Sequence, residues 1–485
     1  MTLEVFAAII AGTIFGTFIG ALPGMGSVVA LVVALPFTFS MSVNAAIALV
    51  LCIYCSSVFG GSISAILINT PGTPQSAATV FDGYPMTQQG KADLALGWAT
   101  VSSVVGGLFS LIILMLAAPQ LAAFGVRFGQ VETFALILFA LTCIAWVSRG
   151  STLKGLIAGA IGLFLATIGP DTMTGLSRFH FGIAELSGGF SLISVLVGFF
   201  AMSEVFSRAA IREEGQTEHL LSGVGFRVAP WPEWRTRLRT LIQSSVIGTF
   251  IGVLPGTGAT VATFVSYAEA KRASRRRDQY GKGEPEGVIA SEAANNAVTG
   301  GALVPTLALG IPGDGATAVI MGALLIHGLV PGVQLFRNQP ELIMGAFIIL
   351  FFANILMFFA GLLGSQVFTR LLRLPEAILM AMVLLMSLVG AFAVRGNPAD
   401  VVAAIIAGVV GVLLRFNGVP MAPIVIGMAL GKTFEESFRQ GMMMNDGSFL
   451  AFFTHPIALG IFVLTILVVG WPIVSRRFRG ARHEE

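Results

Sequence analysis

The chain has 485 residues, 55% hydrophobic and only 11% charged, against about 25% charged in a typical soluble domain. That balance excludes a water-soluble globule, and a net charge of +3 is too small to imply a nucleic-acid partner. Some 267 apolar residues (55% of 485), at roughly 20 per crossing, set a ceiling of about 13 spans. We therefore expect an all-α polytopic membrane protein with about 10–12 transmembrane helices. A β-barrel fits poorly, because runs such as Leu108–Ala118 and Ile461–Gly470 are apolar on every side, where a barrel strand would alternate.

Met1 to Ala11 is apolar almost from its start and lacks the cationic region of a secretory signal, so it reads as a retained first helix. Gly12, Gly16, Gly20 and Gly24 follow at four-residue spacing, which lets helices approach closely. The last of them sits in Leu22-Pro23-Gly24. Proline removes a backbone donor and glycine permits a chain reversal, so a helix break is expected there. Cys52 and Cys55 form a C-x-x-C without a second pair or nearby histidine and read as buried packing. A second break is expected at Thr70-Pro71-Gly72, surrounded by Asn69, Thr73, Gln75 and Ser76. Phe81-Asp82-Gly83-Tyr84-Pro85 reads as a turn.

Residues 207–239 form the one long polar stretch, with six arginines, four glutamates and Pro230-Trp231-Pro232. It reads as a cytoplasmic linker, either a plain solvated loop or one carrying an amphipathic surface helix. Beyond it the first half returns. Gly16-Thr17-Phe18-Ile19-Gly20-Ala21-Leu22-Pro23-Gly24-Met25-Gly26 recurs as Gly248-Thr249-Phe250-Ile251-Gly252-Val253-Leu254-Pro255-Gly256-Thr257-Gly258, nine of eleven positions identical at an offset of 232. Gly60-Gly61 answers to Gly300-Gly301, Thr70-Pro71-Gly72 to Ile311-Pro312-Gly313, and Arg149-Gly150-Ser151 to Arg395-Gly396-Asn397. Two homologous membrane repeats are expected, 1–206 and 240–440, with 441–485 as an extra C-terminal helix and basic cytoplasmic tail. Lys271-Arg272-Ala273-Ser274-Arg275-Arg276-Arg277 is strongly cytoplasmic by the positive-inside rule, whereas the matching Pro36 to Ser42 carries no charge. Equivalent loops on opposite sides imply inverted repeats with broken or re-entrant helices, the usual ancestry of secondary transporters.

Four Pro-Gly elements thus interrupt apolar helices in matched pairs. At membrane depth such backbone is tolerated only when buried in protein or lining a wet cavity. A half-helix starting after the break aims unpaired N–H groups and a partial positive charge into that cavity, which suits a carboxylate; the alternative is a set of kinks used for packing alone. We expect a substrate carboxylate to meet amides at Gly72, Thr73 and Gly313, assisted by Asn69, Thr70, Ser76, Asn295, Asn296 and Thr317. Gly24, Gly26, Gly256 and Gly258 would line the same cavity. Ser291-Glu292-Ala293-Ala294-Asn295-Asn296 puts a carboxylate and two amides in an otherwise apolar helix, a combination that defaults to function in lipid, although the two asparagines could equally serve helix contacts. Asp314 either caps the half-helix or carries a coupling cation. No phosphate loop or His-Glu-x-x-His is present, and the five histidines are scattered. An intramembrane aspartyl protease could draw only on Asp82 and Asp314, and a passive anion channel is the other alternative.

The repeated Gly-x-Leu-Pro-Gly-x-Gly, the stretch from Gly60 through Asn69-Thr70-Pro71-Gly72-Thr73-Pro74 to Asp82-Gly83-Tyr84-Pro85, and Glu292-Ala293-Ala294-Asn295-Asn296 with Gly310-Ile311-Pro312-Gly313 and Ala323-Leu324-Leu325-Ile326-His327-Gly328 closely resemble the large membrane subunit of tripartite tricarboxylate transporters, the TctA family. The likeness covers essentially the whole chain. It implies a multi-pass secondary transporter of the bacterial inner membrane, working with a small four-helix membrane subunit and a periplasmic substrate-binding protein that captures citrate or another carboxylate. It also implies coupling to H+ or Na+ and no other cofactor.

Overall fold

The computed structural model describes residues 2–147, 152–210, 225–256, 258–371 and 376–480. Arg149, Gly150 and Ser151, the middle of the polar stretch (211–224) and Thr257 lie outside the described residues. The first half runs α1 (Leu3–Ala21), α2 (Gly26–Thr38), α3 (Val43–Ile68), a 3-10 turn (Pro74–Ala78), α4 (Val80–Gln88), α5 (Ala92–Gly125), α6 (Gln130–Val147) and α7 (Thr152–Ala166). It closes with α8 (Leu192–Leu196) and α9 (Ser203–Ala210), joined through a π-helical stretch, Val197–Met202. The second half runs α10 (Trp231–Val253), α11 (Gly258–Ala273), α12 (Pro285–Leu309), α13 (Gly315–Ile326), α14 (Val333–Asn338), α15 (Pro340–Leu371), α16 (Glu376–Ala393), α17 (Pro398–Phe416), α18 (Ala422–Met444) and α19 (Pro456–Gly480). The only strands among the described residues pair Gly169–Pro170 with Ser177–Arg178. The protein is an all-α polytopic membrane protein.

Among the described residues, six segments are long and apolar enough to cross a membrane by length and composition: Leu3–Ala21, Val43–Ile68, Ala92–Gly125, Leu192–Ala210, Pro340–Leu363 and Pro398–Phe416. Further apolar helices are shorter. Among them α2 and α13, of 13 and 12 residues, follow two of the expected breaks; at 1.5 Å per residue each reaches only about two thirds of the way through a hydrocarbon core of about 30 Å. The polar stretch ends in helix, since α10 begins at Trp231 with Pro232 in its first turn, where a missing N–H costs nothing. One face of its first two turns is packed inward: Trp234 is buried, and Arg237 is buried over the Trp98 ring (5.3 Å) and faces Glu284 at 3.6 Å.

α1 packs along α3, and α10 along α12. The contacts match. An added Cβ at Gly60 would come 2.4 Å from the Thr17 carbonyl oxygen, and one at Gly301 2.4 Å from that of Thr249. Gly301 therefore occupies the place answering Gly60, one residue on from the pairing read along the sequence; Gly300 faces Ser110 on α5 instead. Between the halves, Cys55 meets Thr299 (3.9 Å) and the Val58 carbonyl accepts from Asn295 (3.4 Å). Residue numbers rise on α3 as they fall on α12, so these two helices run antiparallel. α5 runs beside α12 in the same direction, with Ser103 at Glu292, Gly106 at Ala293 and Ser110 at Gly300.

The connection between α7 and α8 is tied to α18 by an ion network. Arg439 bonds Asp171 (2.7 Å), and Arg178 bonds Glu435 (2.6 Å) while approaching Asp171 (3.2 Å). The Arg439 guanidinium and the Met173 amide hold the Asp171 carboxyl well down, at about 2.

Candidate substrate site at the helix breaks

All four interruptions are present. α1 ends at Leu22, and Gly24 and Gly26 take φ of 72° and 69°, left-handed values that a side chain rarely adopts. α10 ends in the same way at Leu254, and Gly256 has φ 79°. α3 terminates on Asn69 (φ 60°) and α12 on Gly310 (φ 70°), both in the left-handed cap conformation that Gly and Asn tolerate. In each half the first break is bonded to the second: Gly26 N donates to Gly72 O (3.2 Å), and Gly256 N to Gly313 O (2.7 Å). Across the halves, the turn Pro74–Ala78 packs on α11 and α13 packs on α2, so the segment after each second break leans on the opposite half.

The residues just after the second breaks also correspond. Thr73 and Ser76, both buried, share a hydroxyl–hydroxyl bond of 2.7 Å. Asp314 and Thr317 close a reciprocal capping box: Thr317 N donates to Asp314 Oδ1 (2.7 Å), and Asp314 N donates to Thr317 Oγ1 (2.9 Å). Of the two roles open to Asp314, capping α13 is the one its contacts serve, and its second oxygen accepts from Tyr54 (3.0 Å).

Several amides expected to meet substrate are engaged. Gly72 N donates to Gly61 O (3.2 Å) and Gly313 N to Thr306 Oγ1 (3.3 Å). The open donors lie slightly farther on, at Thr73 N and at Gly315 and Ala316 in the first turn of α13, which have no partner among the described residues. Asn69 and Thr70 are exposed, the Thr70 hydroxyl turning back to the Ile68 carbonyl (3.3 Å), and Gly24 is exposed while Gly26 is buried. Gly258 opens α11. Asn295 and Asn296 lie on α12, completely enclosed. Asn295 holds one weak bond to Val58, while its Oδ1 and both side-chain polar atoms of Asn296 have no partner among the described residues.

Three participants were not assigned to the site from sequence. Glu292, one helical turn before the asparagines, is fully buried and accepts from Thr79 Oγ1 and from Ser103 Oγ (3.1 Å). Tyr54 reads as an ordinary core residue until α3 meets α13. Arg208 on α9 donates to the Pro23 carbonyl at the first break and pairs with Glu204 (2.7 Å), which also binds Arg415. Asp82 lies inside α4, not in a turn. It is buried, with Oδ1 accepting from Gly281, Gly283 and Glu284 N–H (2.8–2.9 Å) and Oδ2 from Tyr267 (2.8 Å). Asp82 and Asp314 share no partner among the described residues, and each is committed to its own scaffold, which removes the basis for an aspartyl dyad. Cys52 and Cys55 are buried and unpaired with each other. A cavity of about 400 Å³ between α1, α2 and α3 is lined by hydrocarbon apart from Glu4 and contains none of these groups.

Matched, mutually bonded breaks beside a buried polar cluster agree with the family scan: the model of the tripartite tricarboxylate transporter TctA family matches residues 6–426. The chain belongs to the TctA family. The TctA proteins are transporter subunits, and this one is a multi-pass membrane subunit of a tricarboxylate transporter. It is similar to an uncharacterized 52.8 kDa protein in the TAR-I ttuC' 3' region of Agrobacterium vitis, with 35% identity over 94% of this chain and 91% of that one. A second protein, in the TAR-II ttuC' 3' region of Agrobacterium vitis, is 33% identical over 46% of this chain and 92% of its own. No solved structure matches.

Proposed function

We propose that this TctA subunit is the permease of a secondary active carboxylate importer in the bacterial inner membrane, fed by a periplasmic binding protein, assisted by a small four-helix membrane subunit and driven by an H+ or Na+ gradient. The observation that carries the reading is that in each half the first break bonds to the second, through the corresponding carbonyls of Gly72 and Gly313 and through donors two repeat positions apart, Gly26 and Gly256. Broken helices so placed mark binding sites in transporters built from inverted repeats, and the antiparallel course of α3 and α12 supports an inverted arrangement. Substrate carboxylates would meet the open amides at Thr73, Gly315 and Ala316, where the first turn of α13 adds a favourable dipole. Asn69 and Thr70 would contribute at the rim. Engaged amides at Gly72 and Gly313 hold the break geometry and do not themselves bind.

The test is uptake by proteoliposomes containing all three components, scanned over di- and tricarboxylates with imposed H+ or Na+ gradients. Accumulation above equilibrium that disappears on gradient collapse supports the proposal. Uptake that equilibrates identically without a gradient identifies a passive channel instead.

A further inference from the structure

Glu292 is unusual in having no cation to answer it. It lies fully buried, two turns into α12, and its contacts are the hydroxyls of Thr79 and Ser103 and the approaching Asn295 amide. No arginine, lysine or histidine pairs with it among the described residues. The ionisable groups on neighbouring elements are committed elsewhere. Arg237 on α10 faces Glu284, Asp82 on α4 binds Tyr267 on α11, Asp314 on α13 binds Tyr54 on α3, and Cys55 on α3 meets Thr299.

An unpaired carboxylate at such depth is costly unless a positive charge accompanies it. One turn on from it, polar atoms that ought to be satisfied are not: Asn295 Oδ1, and Asn296 Oδ1 and Nδ2. Asn295 and Asn296 stand three and four residues after Glu292, hence on the same face of the helix. Orphaned buried polar groups in a native protein call for an ion or an ordered water. The available ligands are hard oxygens, one anionic and the rest neutral, a set suited to a hard cation, and a single carboxylate balances a single charge. A proton on Glu292 would neutralise the carboxylate and supply one O–H donor, enough for at most one of the two amide oxygens.

From this geometry we infer that Glu292, Asn295 and Asn296 of α12, with Thr79 and Ser103, form a dehydrated Na+ site. Thr79 immediately follows the turn Pro74–Ala78, and Ser103 lies on α5, so the ion ties the segment after the first-half break to α12 of the second half. Filling the site would thereby favour the arrangement of the breaks that receives substrate. This deepens the proposed transport function by naming its coupling site in place of Asp314, yet the site can be tested without transport.

The experiment measures Na+ binding to the purified full chain by thermal shift and 22Na+ retention, at constant ionic strength with K+ or choline as replacement and at several pH values. A ligand that binds only the folded state raises the unfolding temperature as its concentration passes the Kd. Wild type is expected to show a saturable, Na+-specific rise. Glu292→Gln and Asn296→Ala should each weaken apparent Na+ affinity roughly tenfold or more, while Asp314→Asn should leave it within about threefold. The inference is overturned if wild type does not distinguish Na+ from K+, if its stability responds to pH alone, which would assign Glu292 to a proton, or if Asp314→Asn removes the response while Glu292→Gln keeps it. Na+ binding without uptake in the reconstituted system would refute the transport reading and leave the site standing.

Discussion

Replacing Gly72 with alanine should damage the first pair of breaks more than the matching change at Gly313 damages the second. At Gly72 the new Cβ would stand 2.0 Å from the Gly20 carbonyl oxygen, 2.8 Å from Ser64 Oγ and 2.9 Å from Gly61 Cα, where roughly 3.5 Å is a comfortable separation. Two of these neighbours are backbone in packed helices, so Thr70–Thr73 must retreat by more than about 1 Å. That displacement breaks the bonds Gly26 N–Gly72 O and Gly72 N–Gly61 O, both 3.2 Å. Overpacking costs about 1–3 kcal/mol and each bond about 0.5–1.5 kcal/mol, so a loss of about 2–6 kcal/mol is expected. At Gly313 the added Cβ would meet Ala302 Cβ, Cα and O at 2.8, 2.9 and 3.0 Å, a shallower overlap than the 2.0 Å at Gly72, and overpacking alone, about 1–3 kcal/mol, is expected. Gly345 on α15 has nothing within 4 Å of an added Cβ, so Gly345→Ala should stabilise by up to about 1 kcal/mol through helix propensity. Thermal unfolding of the purified protein, together with uptake by the complete transporter, reads the series. Equal unfolding temperatures and uptake across the three variants, or a greater loss at Gly313 than at Gly72, would refute the reasoning.

Asp82→Ala leaves three loop amides and the Tyr267 hydroxyl without their acceptor and should destabilise the protein by at least about 3 kcal/mol; an Asp82→Ala protein of wild-type stability would reopen a chemical role for this carboxylate. Asn69 combines a left-handed backbone with an exposed amide, so Asn69→Gly keeps the cap and removes only the side chain. Uptake reduced in both Asn69→Gly and Asn69→Ala, with stability lowered only in the latter by about 1 kcal/mol, assigns the amide to substrate, whereas normal uptake by the glycine variant assigns it to capping. Asp171, whose carboxyl is held at about 2 by Arg439 and the Met173 amide, favours the folded state at any pH above its unfolded value near 4. Its contribution fades as pH falls from there through about 2, so the wild-type unfolding temperature should drop over that window more steeply than that of Asp171→Asn; parallel curves would show that the network does not act through this group.

Several features were legible without coordinates. The hydrophobic supply and the low charge decide for a helical membrane protein, because the bilayer requires each span to satisfy its own backbone. Pro-Gly pairs announce the four breaks because the loss of an N–H and the access to positive φ are properties of those residues themselves. Asn69 and Gly310 fall on the two left-handed caps for the same local reason. Where local rules misled, tertiary context won: Asp82 and Pro85 look like a turn but lie within α4, which is held against the loop before α12 by the buried carboxylate.

The membrane class, the family and the positions of the breaks were thus determined by the sequence by itself, because each rests on composition or on motifs a few residues long. Only the tertiary structure decided which breaks bond to each other, that α3 and α12 run antiparallel, and that Asp314 is occupied by its cap and by Tyr54. It also decided the setting of Glu292, whose partners Thr79 and Ser103 lie 213 and 189 residues away along the chain. A lone glutamate in an apolar helix can sit beside an arginine or beside nothing. Which of these holds depends on what the fold packs against it, and here the fold supplies hydroxyls and unpaired amides.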